Sequence, residues 1–174
     1  MTAAVLVLLG LVALAGLSLV VLGERRPVVT GGAVALVVAL AVAAGLAWPE
    51  GPADAGQLQA GALLAVLAAI TGGGPVATAV LHAADPAAAG TSGGPQDPDI
   101  LRGGAWIGVL ERGALAATLL AGWPEGLAVV LAVKGLGRFS ELRAPAAAER
   151  FIVGTLASAL WAAGCVGVAV LLRA

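Results

Sequence analysis

The chain has 174 residues, of which 60% are hydrophobic and only 11% are charged, and its formal net charge is -1. Soluble globular domains carry about 25% charged residues, so this composition excludes that class. The sequence also has no tract rich in Lys and Arg, which excludes a nucleic-acid-binding surface. Continuous apolar runs of ~20 residues suit helices that cross ~30 Å of hydrocarbon. The sequence therefore predicts an all-α, polytopic transmembrane helical bundle.

Six apolar segments follow one another and form a single transmembrane domain over residues 1–174. The predicted spans are residues 3–22, 28–48, 58–81, 103–121, 127–136 and 151–172. We interpret the first as a retained span, because it has no basic start and exceeds the ~7–15 apolar residues of a signal peptide. The fifth has only about ten apolar residues, so the alternative is five crossings with a re-entrant fifth segment.

The third span contains the string TGGGP at residues 71–75. Pro75 removes a helix hydrogen bond, so this string predicts a kink or a break. Residues 83–102 are rich in Gly, Pro and Asp and predict a flexible cytoplasmic loop. His82 and Asp85, at the end of the same span, offer too few ligands for a stable metal site. We therefore expect no metal and no cofactor.

The distribution of basic residues predicts the orientation. Short loops rich in Lys and Arg stay in the cytoplasm, and Arg25 and Arg26 follow the first span, so the N-terminus is expected outside. The other arginines that then fall inside are Arg102, Arg138, Arg143 and Arg150. Trp48 and Trp123 each begin the tetrapeptide WPEG and are expected at the outer interface. These patterns are typical of a multi-pass protein of the cell inner (plasma) membrane.

Two adjacent charges, Glu111 and Arg112, lie near the middle of the fourth span. A charge at the centre of a spanning helix costs roughly 2.5–3.5 kcal/mol on insertion scales, so it usually has a partner or a function. In an antiparallel hairpin that turns near Trp123, Lys134 lies at the same depth as Glu111, and we expect these two to form an ion pair. The predicted buried charged cluster comprises Glu111, Arg112, Lys134, Arg138, Glu141 and Glu149.

Two interpretations of this cluster are open. It is either a network of buried ion pairs that sets the register of the helices, or a functional site. A functional site would be an ion or proton path, or a cradle for an anionic headgroup, because charge inside a membrane is functional by default.

The C-terminal half also carries a family resemblance, which covers residues 106–158. The residues that carry it are Ile107, Gly108, Leu110, Glu111, Arg112, Lys134, Arg138, Phe139, Glu141, Glu149, Phe151, Gly154, Thr155 and Ser158. In this spacing they resemble an uncharacterised bacterial integral-membrane family, a domain of unknown function (DUF3307-like). The resemblance implies an α-helical membrane fold without an established activity.

We expect a non-enzymatic membrane subunit or scaffold, in contact with the lipid bilayer and with a membrane-protein partner or further copies of itself. The alternative is a small transporter or channel component, in which Glu111, Lys134 and Arg138 line a cavity. A lipid-phosphate enzyme with Arg112, Lys134 and Arg138 as headgroup clamps ranks last. Such chemistry usually requires a nucleophile, a metal motif or a histidine near the cluster.

Overall fold

A computed structural model describes residues 1–22, 26–48, 52–84, 104–139, 143 and 145–173. Within these residues the chain forms six α-helices and no strand, which confirms the all-α class. The helices are α1 (Thr2–Leu22), α2 (Arg26–Ala47), α3 (Ala55–Ala84), α4 (Gly104–Leu120), α5 (Glu125–Gly137) and α6 (Pro145–Leu171).

Four of these helices, α1, α2, α3 and α6, are long and apolar enough to cross a membrane. Large apolar side chains such as Leu14, Leu110 and Leu160 remain 65–71% exposed on the outer surface of the bundle. A helical membrane protein accounts for both observations, because lipid covers such a surface without cost. α4 and α5 are shorter, at 17 and 13 residues. A crossing by these two helices and an external N-terminus remain predictions.

α3 is the central helix and packs against α1, α2, α4 and α6. Its inner face consists of small residues, including Ala65, Ala68 and Ala69, all with 0% exposure. Small side chains let helix backbones approach closely, and in lipid this close packing is a main source of helix association. α5 lies at the periphery and packs mainly on α4.

The contacts fix the helix directions. α1 runs parallel to α3, since Gly10 lies near Leu64 and Gly16 near Gly72. α6 runs antiparallel to α3, and the Ala53 N–H donates to the Leu172 carbonyl at 3.0 Å where α3 begins and α6 ends. One end of the bundle therefore contains the end of α3 and the start of α6, and we call it the basic end. The charged residues described at this end include Arg138, Arg143, Glu149 and Arg150.

The opposite end carries the acidic residues Asp54 and Glu125, with Trp48 and Trp123 both exposed beside them. This places the two tryptophans at one end of the molecule, as their shared tetrapeptide predicts. Asp54 caps α3: its carboxylate accepts the Gln57 N–H at 2.8 Å, and the Gln57 side chain accepts the Asp54 N–H at 3.2 Å. This reciprocal arrangement is a capping box, which satisfies two backbone donors at the helix start.

The prediction of a break at residues 71–75 is wrong, because α3 continues through Pro75 to Ala84. The glycines of this string provide close packing. A Cβ on Gly16 of α1 would lie 2.7 Å from the backbone N of Gly72, so the backbones of α1 and α3 pack directly against each other here. The side chain of Thr71 adds hydrogen bonds to the Leu67 and Ala13 carbonyls, both at 2.9 Å.

Two predicted boundaries also differ. Ala83 and Ala84, expected in the loop 83–102, are the last residues of α3, and the rest of that loop lies outside the described residues. α6 begins at Pro145, six residues before the predicted start of the sixth span at 151. A proline fits the first helical turn, because its missing N–H would have no partner there.

Candidate functional site

The α4–α5 turn sets the geometry of the charged residues. Gly122 has φ 70, a left-handed conformation that favours glycine. Its N–H donates to the Leu119 carbonyl at 3.1 Å, and the Trp123 N–H donates to the Thr118 carbonyl at 2.9 Å. These two bonds form a Schellman motif, which ends α4 sharply. α5 starts directly afterwards and returns along α4.

Glu111 and Lys134 meet across this hairpin, and the predicted ion pair is confirmed. Lys134 Nζ donates to Glu111 Oε2 at 2.5 Å, and the two side chains are only 20% and 16% exposed. The ammonium group also lies 5.8 Å from the centre of the Phe151 ring on α6. A cation over an aromatic face gains further electrostatic stabilisation. Lys134 therefore connects the peripheral α5 to both α4 and α6.

Arg112, the neighbour of Glu111, points elsewhere, as expected for adjacent positions on a helix, which differ by about 100°. It is 8% exposed, and its Nε donates to the Ile70 carbonyl of α3 at 2.9 Å. Within the part of the chain that the structure describes, no carboxylate lies within ion-pair distance of its guanidinium group. A buried arginine thus binds a backbone carbonyl instead of an acidic side chain.

Glycines surround the Arg112 side chain. A Cβ on Gly73 would collide with Arg112 Cδ, and a Cβ on Gly108 would lie 3.1 Å from Nη1 and 3.6 Å from Nη2. A Cβ on Gly74 would lie 3.9 Å from Nη2. The guanidinium group therefore lies against bare backbone on both α3 and α4. We call Gly73, Gly74 and Gly108 the glycine seat.

Trp161 of α6 contacts the same stretch of α3 in a similar way. Its indole Nε1–H donates to the Ala68 carbonyl at 3.0 Å, and the residue is 5% exposed. Its ring would collide with a Cβ on Gly72 and lies beside Gly73. The middle of α3 is therefore where α1, α4 and α6 meet, through Thr71, Arg112 and Trp161 respectively.

Sequence reasoning missed the roles of Trp161 and Thr71. A signal was present in the string TGGGP, because three consecutive glycines in an apolar helix predict close contact with bulky neighbours as well as a kink. The bulky neighbours themselves could not be identified from the string.

The remaining members of the predicted cluster lie toward the basic end. Arg138 is half-buried at the C-terminus of α5, where its N–H donates to the Gly135 carbonyl at 3.3 Å. Glu149 is exposed on α6 and lines a shallow groove between the last turn of α3 and the first turns of α6. Glu141 lies outside the described residues. Glu111 thus pairs with Lys134, whereas Arg112 bonds to α3. A single cluster of all six residues remains a prediction.

The side chains that could bind a metal or act as a nucleophile lie apart from these charges. Across the described ranges, no three His, Cys, Asp or Glu side chains come together as metal ligands. Cys165 is a buried free thiol on α6. His82 is near the end of α3, and its buried Nδ1 has no hydrogen-bond partner among the described residues.

Comparisons of this chain with protein-family models, curated proteins and solved structures find no match. The resemblance of residues 106–158 to the uncharacterised membrane family stays an expectation from the sequence.

Proposed function

We propose that this chain is a non-enzymatic subunit or scaffold of the plasma membrane, in which side-chain contacts hold six helices in a fixed arrangement. The Glu111–Lys134 ion pair is the observation that carries this proposal. Each charge has its partner inside the same chain, and the ion pair joins α5 to α4. Such a pair is sufficiently explained by a structural role, because each charge offsets part of the cost of burying the other.

The polar contacts in the middle of the bundle support the same conclusion. Thr71 of α3 donates to a backbone carbonyl of α1, and Arg112 and Trp161 each donate to a backbone carbonyl of α3. Interhelical hydrogen bonds of this kind add about 0.6 kcal/mol each on average in membrane proteins. Small contributions from several helices favour a rigid bundle, which is the property that a scaffold needs.

Purification from native membranes in a mild detergent tests this proposal. The tagged chain should carry a partner or further copies, so its particle mass should exceed the 16.7 kDa of one chain after subtraction of detergent. Light scattering measures the mass and mass spectrometry identifies the components. A strictly monomeric, partner-free particle would contradict the proposal.

A small transporter or channel component is the second candidate, and Arg112 favours it. This arginine is buried on α4, and its neighbour Glu111 is paired with Lys134. Charged residues at this depth commonly mark ion pathways. Flux measurements in liposomes test the idea with Glu111→Gln and Lys134→Met, which alter the adjacent ion pair. Folded variants whose flux equals that of the unmodified protein would exclude it.

A further inference from the structure

A groove lies at the basic end of the bundle, between the last turn of α3 and the first turns of α6. Its volume is about 140 Å³, which is roughly the liquid volume of four to five water molecules. Closer to the bundle centre the two helices pack directly, because a Cβ on Gly154 would lie 3.2 Å from Leu81 Cδ1. The groove is therefore a shallow recess with room for a small polar group.

The lining of the groove combines apolar side chains with one charge of each sign. Among the described residues, six line it: Leu81, Ala84, Ala146, Glu149, Arg150 and Val153. The two formal charges sum to zero, so a group that itself carries one negative and one positive charge matches this lining. A purely anionic group would meet Glu149 as well as Arg150, and like charges repel.

Arg150 suits a phosphate group. Guanidinium groups bind phosphate oxygens through strong, often bidentate hydrogen bonds. Arg150 already has an interaction within the protein, and its five N–H donors allow further contacts. Glu149 is exposed on the same groove and can accept hydrogen bonds from an ammonium group.

Helix length places the groove at headgroup depth. α3 has 30 residues and α6 has 27, which at 1.5 Å per residue gives lengths of about 45 and 40 Å. The hydrocarbon core of a bilayer is only ~30 Å thick, so the ends of both helices extend into the headgroup region. The groove lies between two such ends.

An apolar ridge continues from the groove along α6. Ile152, Leu156 and Leu160 follow Glu149 at spacings of three, four and four residues, which places all four on one helix face. These three apolar side chains are 51–71% exposed. An acyl chain attached to a headgroup in the groove can therefore lie along this ridge, whereas a soluble phosphate compound would make no use of it.

We propose that this groove binds the headgroup of a phospholipid that carries both a phosphate and a primary ammonium group, as phosphatidylethanolamine does. Arg150 binds the phosphate, Glu149 accepts from the ammonium group, and the acyl chains lie against the exposed face of α6. This inference rests on the membrane part of the proposed function and is independent of the scaffold role.

Native mass spectrometry with three phospholipids of identical acyl chains tests the site. Phosphatidylethanolamine, phosphatidylcholine and phosphatidylglycerol are titrated separately into the detergent-solubilised protein. We expect tightest binding of phosphatidylethanolamine. Phosphatidylcholine has a quaternary nitrogen without an N–H donor for Glu149, and phosphatidylglycerol has no cationic group.

Two substitutions at the groove have different expected effects. Glu149→Gln should lower the affinity for phosphatidylethanolamine about fivefold, the upper range for an ion pair in contact with water, and should leave phosphatidylglycerol binding undiminished. Ala146→Phe fills the groove without a change of charge and should weaken phosphatidylethanolamine binding. Glu125→Gln is the matched control, because it removes an exposed carboxylate at the opposite end of the bundle and should change nothing. Circular dichroism checks that the variants are folded.

Equal binding of the three lipids, a preference for phosphatidylglycerol, or an unchanged preference in folded Glu149→Gln would overturn the proposal. If Glu149→Gln does not fold, the three lipids on the unmodified protein decide. Displacement of the lipid by an equal concentration of soluble phosphoethanolamine would assign the groove to a free phosphate compound and would also reject a lipid site.

Failure of this inference is distinguishable from failure of the proposed function. A membrane-bound chain without headgroup preference rejects the groove site alone. Recovery of the unmodified chain in the soluble fraction of disrupted cells would contradict both.

Discussion

Lys134 on α5 donates to Glu111 on α4 at 2.5 Å, across a hairpin whose turn lies midway between them in the chain. The two residues are 23 positions apart and belong to helices of 17 and 13 residues. These are the two shortest helices of the bundle, and α5 has few other contacts. The ion pair is therefore one polar connection that holds α5 against α4.

A double-mutant cycle on Glu111→Gln and Lys134→Met measures this connection. Each single variant leaves a partly buried charge unpaired and should destabilise the protein, whereas the double variant should recover part of the loss. We expect a coupling free energy of about 1 kcal/mol, since polar contacts between membrane helices reach at most ~1.7 kcal/mol. Unfolding in mixed micelles with increasing denaturing detergent gives the values. Strict additivity would show that the pair contributes nothing.

Gly16→Ala should separate α1 from α3. The new Cβ would lie 2.7 Å from the Gly72 N and 2.9 Å from its Cα, and backbone atoms cannot rotate away as a side chain can. Overpacking of this kind typically costs about 1–3 kcal/mol. The same unfolding measurement reports the loss.

Gly45→Ala on α2 is the control for this substitution, because a Cβ there would meet nothing within 4 Å. It should be neutral or stabilise the helix by roughly 0.5–1 kcal/mol, the usual difference between Gly and Ala inside a helix. Equal destabilisation by both variants would argue against the close approach of α1 and α3.

Gly122→Ala should weaken the α4–α5 turn. Its φ of 70 belongs to the left-handed region, which costs a residue with a Cβ roughly 1–2 kcal/mol. Gly137→Ala, at the end of α5, serves as the comparison, since a Cβ there would also meet nothing within 4 Å and its φ is not positive. A turn that tolerated Gly122→Ala as well as Gly137→Ala would be inconsistent with the Schellman geometry.

The predicted topology can be tested with single cysteines in a Cys165→Ala background. Glu125→Cys and Arg143→Cys are both at exposed positions, one at each end of α5. If α5 crosses and the N-terminus is outside, a membrane-impermeant maleimide should label Glu125→Cys in intact cells. It should label Arg143→Cys only after lysis. Reaction of both from the same side would show that α5 is re-entrant.

Local geometry explains which features the sequence predicted well. The apolar segments follow from composition, because lipid requires long runs of apolar residues in helices. The Glu111–Lys134 pair follows from counting residues from the turn at Trp123, because both helices of a hairpin rise 1.5 Å per residue. The string TGGGP predicts a break that α3 does not have, because a glycine cluster has the same local signature whether it breaks a helix or accommodates a neighbouring one.

The long apolar helices that suit a membrane, their order in the chain and the hairpin ion pair all follow from residues close together in the sequence. The central position of α3, and the hydrogen bonds from Arg112 and Trp161 to its carbonyls, depend on how the helices pack. Those contacts join residues 42 and 93 positions apart. Their formation depends on which helices pack side by side, and many small residues of similar apolarity permit several packings, so the sequence pattern alone does not choose among them.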